Sequence, residues 1–300
     1  MESLPTVDEA LRELGDVYLH SGDIEPPADE LLIQHATRPR GDRASLFLCT
    51  LGGYPNSAYR MIRCLRHAYP HVTVVIAGPC KSAGTLLALG ADQLVMTGNA
   101  ELGPLDVQLP KENELFERQS ALATSITFDV LTEEVCKTFV KTYSSMQRDA
   151  GLSSALAAET AERLTSSMFS PIFGQIDPIR VSEGTMANLL ARRYAEALLK
   201  HNDHERRNTT SENIVRLVYQ YPAHGYAIDR TEAMQIFENV RKPDHYEQAI
   251  IDELATYLRR PAGKPITLKL PKDNHEDATH EPDPTSTRTS EGQSSPPDSA

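Results

Sequence analysis

Between residues 46 and 106, short runs of apolar and β-branched residues alternate with segments whose apolar positions recur at helical spacing. SLFLCT, VTVVIAG and QLVM read as strands, while Ala58, Met61, Ile62, Leu65 and Ala68 mark one face of a helix between the first two. Parallel neighbours in a sheet need a crossover, usually a helix, and helices on both faces leave the strands continuously apolar. The alternation therefore predicts an α/β fold of β-α-β units, with VYLH at 17–20 joining the same sheet. Aromatic residues make up 6% of the 300 residues and Trp is absent, so such a core is built from Leu, Ile, Val and Ala.

Past LGPLDVQ the pattern changes to long helices, and no convincing strand is expected between residues 112 and 199. Ile126, Val130, Val135, Phe139 and Val140 lie on one face of a helix running towards Asp149. Further helices are expected after Gly151, after Ser182 and after a cap near Asp229, and HYEQAIIDELATYLRR reads as a last amphipathic helix. From residue 271 onward there is no Val, Ile, Leu, Phe, Tyr or Met. Such a segment cannot offset its ordering entropy by burial. The expected organisation is an α/β core at 1–110, a helical extension packing on it at 111–262, and a disordered acidic tail at 271–300.

The net charge of -12 argues against nucleic acid as a partner, because phosphate binding needs a concentrated basic surface. Cys49, Cys64, Cys80 and Cys136 show no C-x-x-C spacing and sit in apolar segments, so they read as small buried residues of a reducing compartment. No metal and no cofactor is expected. The acidic, amphipathic N-terminus lacks the layout of a secretory signal, and no apolar run reaches the ~18 residues of a membrane helix. The expectation is a cytoplasmic protein with no intrinsic membrane span, although peripheral association stays open.

The stretch AGPCKSAGTLLALGAD puts a small-residue turn after a buried strand and a helix directly behind it, with Ser82 at the helix start. Unpaired N–H groups and the positive end of the helix dipole favour developing negative charge there, and the Ala83 N–H is the natural donor. The plain structural alternative is that Ser82 is an N-cap and Gly84 a close-packing residue. A second glycine turn, TLGGYPNSA, ends the preceding strand at the same sheet edge, where sites of parallel α/β proteins gather. Gly52 or Gly53 can offer a backbone N–H to complete an oxyanion hole with Ala83; alternatively, the pair only serves a helix entry with Pro55 in its first turn.

LCTLGGYPNSAYRMIRCL, GPCKSAGTLLALGADQLVM and ELGPLDVQ together resemble the Clp/crotonase superfamily, specifically its SppA-like and serine dehydrogenase proteinase group. The resemblance spans residues 17–108 and continues more loosely through FSPIFGQIDPIR and YPAHGYAIDR. It implies a Clp/crotonase-type spiral of β-α-β units, often assembled as a homo-oligomer, acting as a serine peptidase on peptide or protein substrates. Ser82 matches the nucleophile position and the Gly52-Gly53 turn the oxyanion-hole loop.

A serine hydroxyl needs a base, either His or a desolvated Lys. The Clp histidine falls near Leu105 or Asp106 on this resemblance, and no histidine is there. Lys111 is the lysine best placed to return to the strand ends, and His224, in the Pro-His-Gly setting of YPAHGY, is the other candidate. Lys81 is expected to diverge from its neighbour Ser82, and Lys137 and Lys141 to be solvated. Asp106 or Asp177 could orient a base, or be turn or cap residues. Two further readings remain open: an acyl-CoA enzyme of crotonase type using the same two backbone donors, and an inactive scaffold of the same fold.

Overall fold

The computed structural model describes residues 5–105, 108–110, 118–200 and 208–271. The chain is a mixed α/β protein with a mostly parallel sheet and many helices. It runs through α1 (Val7–Glu13), β1 (Asp16–Ser21), α2 (Ala28–Ala36), β2 (Arg43–Thr50), α3 (Pro55–Ala68), β3 (His71–Cys80), α4 (Ala83–Leu89), β4 (Gln93–Met96) and β5 (Glu101–Leu102). A short antiparallel pair, β6 (Gln108–Pro110) and β7 (Arg118–Ser120), leads into three long helices, α5 (Ala121–Arg148), α6 (Ser154–Phe173) and α7 (Pro178–Lys200). The remainder is α8 (Ser211–Tyr219), α9 (Arg230–Ile236), β8 (Val240–Arg241), α10 (His245–Glu253), α11 (Ala255–Leu258) and β9 (Ile266–Lys269).

The sheet order is β8-β4-β3-β2-β1-β9, with β5 added to the end of β3. All pairs among β1, β2, β3, β4, β5 and β8 are parallel; β9 alone runs antiparallel, on β1. The central strands are apolar on both faces because both faces are covered. On one side Tyr18, Leu46, Leu48, Val74, Ile76 and Leu94 pack in one cluster with residues of α3, α4, α7, α8 and α9. The alternate residues Val17, Leu19, Phe47, Val75 and Val95 pack with Leu11 of α1 and with Ile250, Leu254 and Leu258 around α10 and α11.

The strands and helices expected between residues 46 and 106 are observed, and QLVM is β4 to the residue. Several later elements differ from the sequence reading. The expected last helix breaks at Leu254 into α10 and α11, the strands β7 and β8 are too short for a period-2 signal, and β9 lies beyond the alternating β-α pattern that marks the core strands. Gly78 explains why α11 can lie so close to β3, since a Cβ there would stand 2.3 Å from the carbonyl oxygen of Leu258.

The helices α5, α6 and α7 pack together, and α7 also touches α3, α4 and α8. Small buried residues at the contacts, Ala157 and Ala161 of α6 and Ala191 and Ala195 of α7, let these helices approach. Their outer faces carry large apolar side chains exposed to solvent, among them Val140, Ile179 and Met186. Cys136 lies exposed on α5, against the expectation of a buried thiol, because the helical stripe carrying it faces outward. Among the described residues no helix is long and apolar enough to cross a membrane.

Candidate active site

The strands β2 and β3 end side by side, and the two turns that follow them meet. Lys81 N–H donates to the Thr50 carbonyl at 3.0 Å, extending the ladder by one bond past the end of β3. The chain must then enter α4 at once. Ser82 makes the turn with φ 48° and ψ -111°, the only positive φ among the described non-glycine residues. For an L-residue this costs on the order of 1–3 kcal/mol, and such outliers concentrate at functional sites. The Ser82 carbonyl accepts from Thr85 N–H at 2.8 Å and Leu86 N–H at 3.2 Å, so its backbone begins the helix. Its hydroxyl does not cap that helix. The plain N-cap alternative is thereby removed: the residue is at the cap position without doing a cap's work.

Gly52 stands against Ser82. A Cβ on Gly52 would lie 2.9 Å from Ser82 Cβ and 3.4 Å from its Oγ. Both turn glycines have positive φ, 123° at Gly52 and 146° at Gly53. The turn is strapped to the exit of β1, where Ile24 N–H donates to the Gly52 carbonyl and Tyr54 N–H to the Ile24 carbonyl, each at 2.8 Å. Thr50 holds it from the other side: its Oγ1 donates to the Gly52 carbonyl at 3.1 Å and accepts from Gly52 N–H at 2.9 Å.

This bonding separates the roles of the two glycines. The Gly52 N–H is committed to Thr50, whereas the N–H groups of Gly53 and Ala83 have no hydrogen bond among the described residues. Gly53 directly follows the glycine that touches Ser82, and Ala83 directly follows Ser82 itself, so both N–H groups are candidate donors to a developing oxyanion. Cys80, two residues before Ser82, is no rival nucleophile, because burial pushes its thiol pKa well above the ordinary range. Cys49, at the end of β2, is likewise pushed up to about 12 by burial.

Lys81 diverges from Ser82 as expected. Its Nζ lies 3.0 Å from a Glu101 carboxylate oxygen, 3.1 Å from the Tyr226 carbonyl and 3.3 Å from that of Leu102. All three donor positions of the ammonium are used. Its stem crosses Gly103, where a Cβ would stand 2.7 Å from Lys81 Cδ. Thr85 Oγ1 donates to the Gly103 carbonyl at 2.7 Å, so residues 101–103 are fixed to α4 as well.

His224 lies partly buried in the turn between α8 and α9. That turn is joined to the Ser82 corner through Tyr226, which receives Lys81, and through Ile228, which exchanges two backbone bonds with Leu102, each at 2.9 Å. Lys111 and Asp106 lie outside the described residues. Asp177 caps α7, accepting from Ile179 N–H at 2.8 Å. Lys137 is exposed on α5 and paired with Glu133 and Glu134. Leu105, near which the Clp-type histidine was expected, is buried and donates its N–H to the Leu217 carbonyl at 2.9 Å. The parts the sequence reading missed are Thr50 and Ile24 as braces of the glycine turn; a threonine directly before Leu-Gly-Gly was the available sign of the first.

No family model matches the chain. Two uncharacterized proteins of Methanocaldococcus jannaschii are similar to parts of it. MJ0137 is 33% identical over 82 residues, covering 27% of this chain and 29% of the relative. MJ1495 is 32% identical over 101 residues, covering 34% of each. The chain thus spans about a third of the length of these curated relatives. Among solved structures, a mutant of the membrane-bound stomatin-specific protease 1510-N superposes with a TM-score of 0.30 at 16% identity, over 48% of this chain and 67% of that one. A likeness that slight carries no weight for fold or function.

Proposed function

We propose that the chain is a serine-type peptidase of the SppA/Clp kind, on a Clp/crotonase-type arrangement of the β-α-β units, with Ser82 as nucleophile. The observation that carries this reading is the positive φ of Ser82 combined with its contact on Gly52. A serine needed only to start a helix has no reason to be held in a strained turn with its hydroxyl off the cap.

In the proposed reaction, Ser82 Oγ attacks a peptide carbonyl while a base takes its proton, and the Gly53 and Ala83 N–H groups receive the oxyanion. Collapse breaks the C–N bond, the leaving amine takes the proton from the base, and the acyl group stays on Ser82. Water, deprotonated by the same base, then releases the acid. The base in this reading is Lys111 or His224, because the three partners of Lys81 already use its ammonium. The enzyme works in the cytoplasm as a homo-oligomer, and the apolar faces of α5, α6 and α7 support burial against further copies.

A fluorophosphonate probe tests the reading. It should label the wild-type protein on Ser82 and leave Ser82→Ala unlabelled. Absence of labelling between about pH 7 and 10, where a histidine or lysine base deprotonates, would exclude the nucleophile. An oxyanion hole serving thioester chemistry without a nucleophile would then be the better account of the same two donors.

A further inference from the structure

We propose that Lys81 is a positioning residue whose ammonium pins the segments around Ser82 together. The proposal rests on Ser82 being the nucleophile. Two separate stretches of chain meet at one Nζ: β5, through the Glu101 carboxylate and the Leu102 carbonyl, and the turn that carries His224, through the Tyr226 carbonyl. Lys81 itself is covalently next to Ser82. The lysine therefore links the nucleophile's own turn to the loop that continues towards Lys111 and to the turn that holds His224, the two places from which a base can come.

The geometry suits a fixed strut. The Lys81 side chain is 8% exposed, whereas that of Glu101 is 48% exposed. The charge is thus buried at the lysine end and neutralised at the solvent edge. Two carbonyls complete its donor geometry, so a neutral replacement leaves both without their charged donor and removes one of the two ties between the Tyr226 turn and β5, the paired Ile228–Leu102 backbone bonds being the other. Gly103 supplies the passage for the stem, since any side chain there would occupy the space of Lys81 Cδ. A strut of this kind acts on the rate through placement of other groups, and misplacement by about 1 Å can cost on the order of a hundredfold.

The test combines fluorophosphonate labelling across pH with amide hydrogen exchange on the full chain, comparing wild type, Lys81→Met and Glu101→Gln. Positioning predicts that Lys81→Met labels on the order of a hundredfold more slowly, with the midpoint of its pH profile unmoved. It also predicts faster exchange at Tyr226 and Ile228, with Leu48 and Ile76 of the central strands unchanged. Glu101→Gln, at a half-exposed site that does not endanger folding, should lose roughly two- to fivefold, and high salt should bring the wild type down to the same rate. Wild-type protein that labels, together with a Lys81→Met protein of equal rate and unaltered exchange, would overturn the positioning role and leave the nucleophile standing. A shifted pH midpoint in Lys81→Met would overturn it in favour of Lys81 as the base. Wild-type protein that does not label removes the nucleophile, and the positioning role with it.

Discussion

Gly52 and Ser82 occupy one another's space: a single methyl group added to the glycine would stand 2.9 Å from the Cβ of the serine. The two turns that end β2 and β3 can meet only because one of them has no side chain.

Gly52→Ala therefore combines a forbidden backbone with a clash. At φ 123° the alanine is strained wherever its methyl goes, and the methyl displaces Ser82. The expected result is a stability loss of roughly 1–3 kcal/mol and the disappearance of probe labelling at Ser82. Thermal melting and labelling measured on the same sample check both.

The strain at Ser82 has its own signature. Ser82→Gly and Ser82→Ala both remove the hydroxyl, but only glycine accepts φ 48° without penalty. The glycine variant should be more stable than the alanine variant by about 1 kcal/mol, even after the higher chain entropy of glycine in the unfolded state. Urea denaturation of the pair measures the difference; equal midpoints would show that the turn stores no strain.

His20 predicts an acid-sensitive fold. It is fully buried in β1, its Nδ1 lies 2.9 Å from Thr267 Oγ1, and its Nε2 has no partner among the described residues. Burial pushes its pKa down to about 4. A histidine with a lowered folded pKa contributes its full stability above the unfolded value of about 6.5 and loses it as pH falls towards 4, roughly 3 kcal/mol over that window. Denaturation at pH 7 and pH 4.5 should show this loss in wild type and not in His20→Phe.

A second acid step belongs to Asp16. Burial raises the pKa of its carboxyl, but Lys269 at 2.9 Å, the Arg40 N–H at 2.8 Å and the Tyr69 hydroxyl at 2.7 Å together hold it below the usual carboxylate range. Its contribution is present above the unfolded value of about 4 and is lost as pH falls through the lowered one, below the His20 window. Lys269→Met should cost roughly 3 kcal/mol at pH 7, and Asp16→Asn should recover part of that in the double variant. Equal stability of wild type and Lys269→Met would show that Asp16 is held by its other two partners alone.

What the sequence made legible follows from the length of the signals. The strands β2 and β3 and the helix α3 each carry enough consecutive apolar positions to declare a period, so the glycine turn could be placed after β2 and Ser82 after β3. The two-residue β8 carries no period, and the four-residue β9, unlike the equally short β4, lies outside the run of alternating strands and helices that marks the core, so their membership of the sheet was not readable. The same holds within the site. That Ser82 opens a helix was legible, but that its hydroxyl is off the cap depends on a dihedral angle. That Gly52 gives its N–H to Thr50, while the Gly53 N–H has no bond among the described residues, depends on which way a two-residue turn is rolled.

The antiparallel pairing of β9 with β1 completes one side of the sheet with two segments from opposite ends of the described chain. During synthesis β1 emerges early, and its outer edge, with its unpaired backbone groups, waits until nearly every other element has been made. A ribosome stalled after α11 would present β1 as an open strand edge, the kind of surface on which nascent chains pair with one another or with a chaperone. Until β9 arrives the edge on this side of the sheet is the six-residue β1; afterwards it is the four-residue β9.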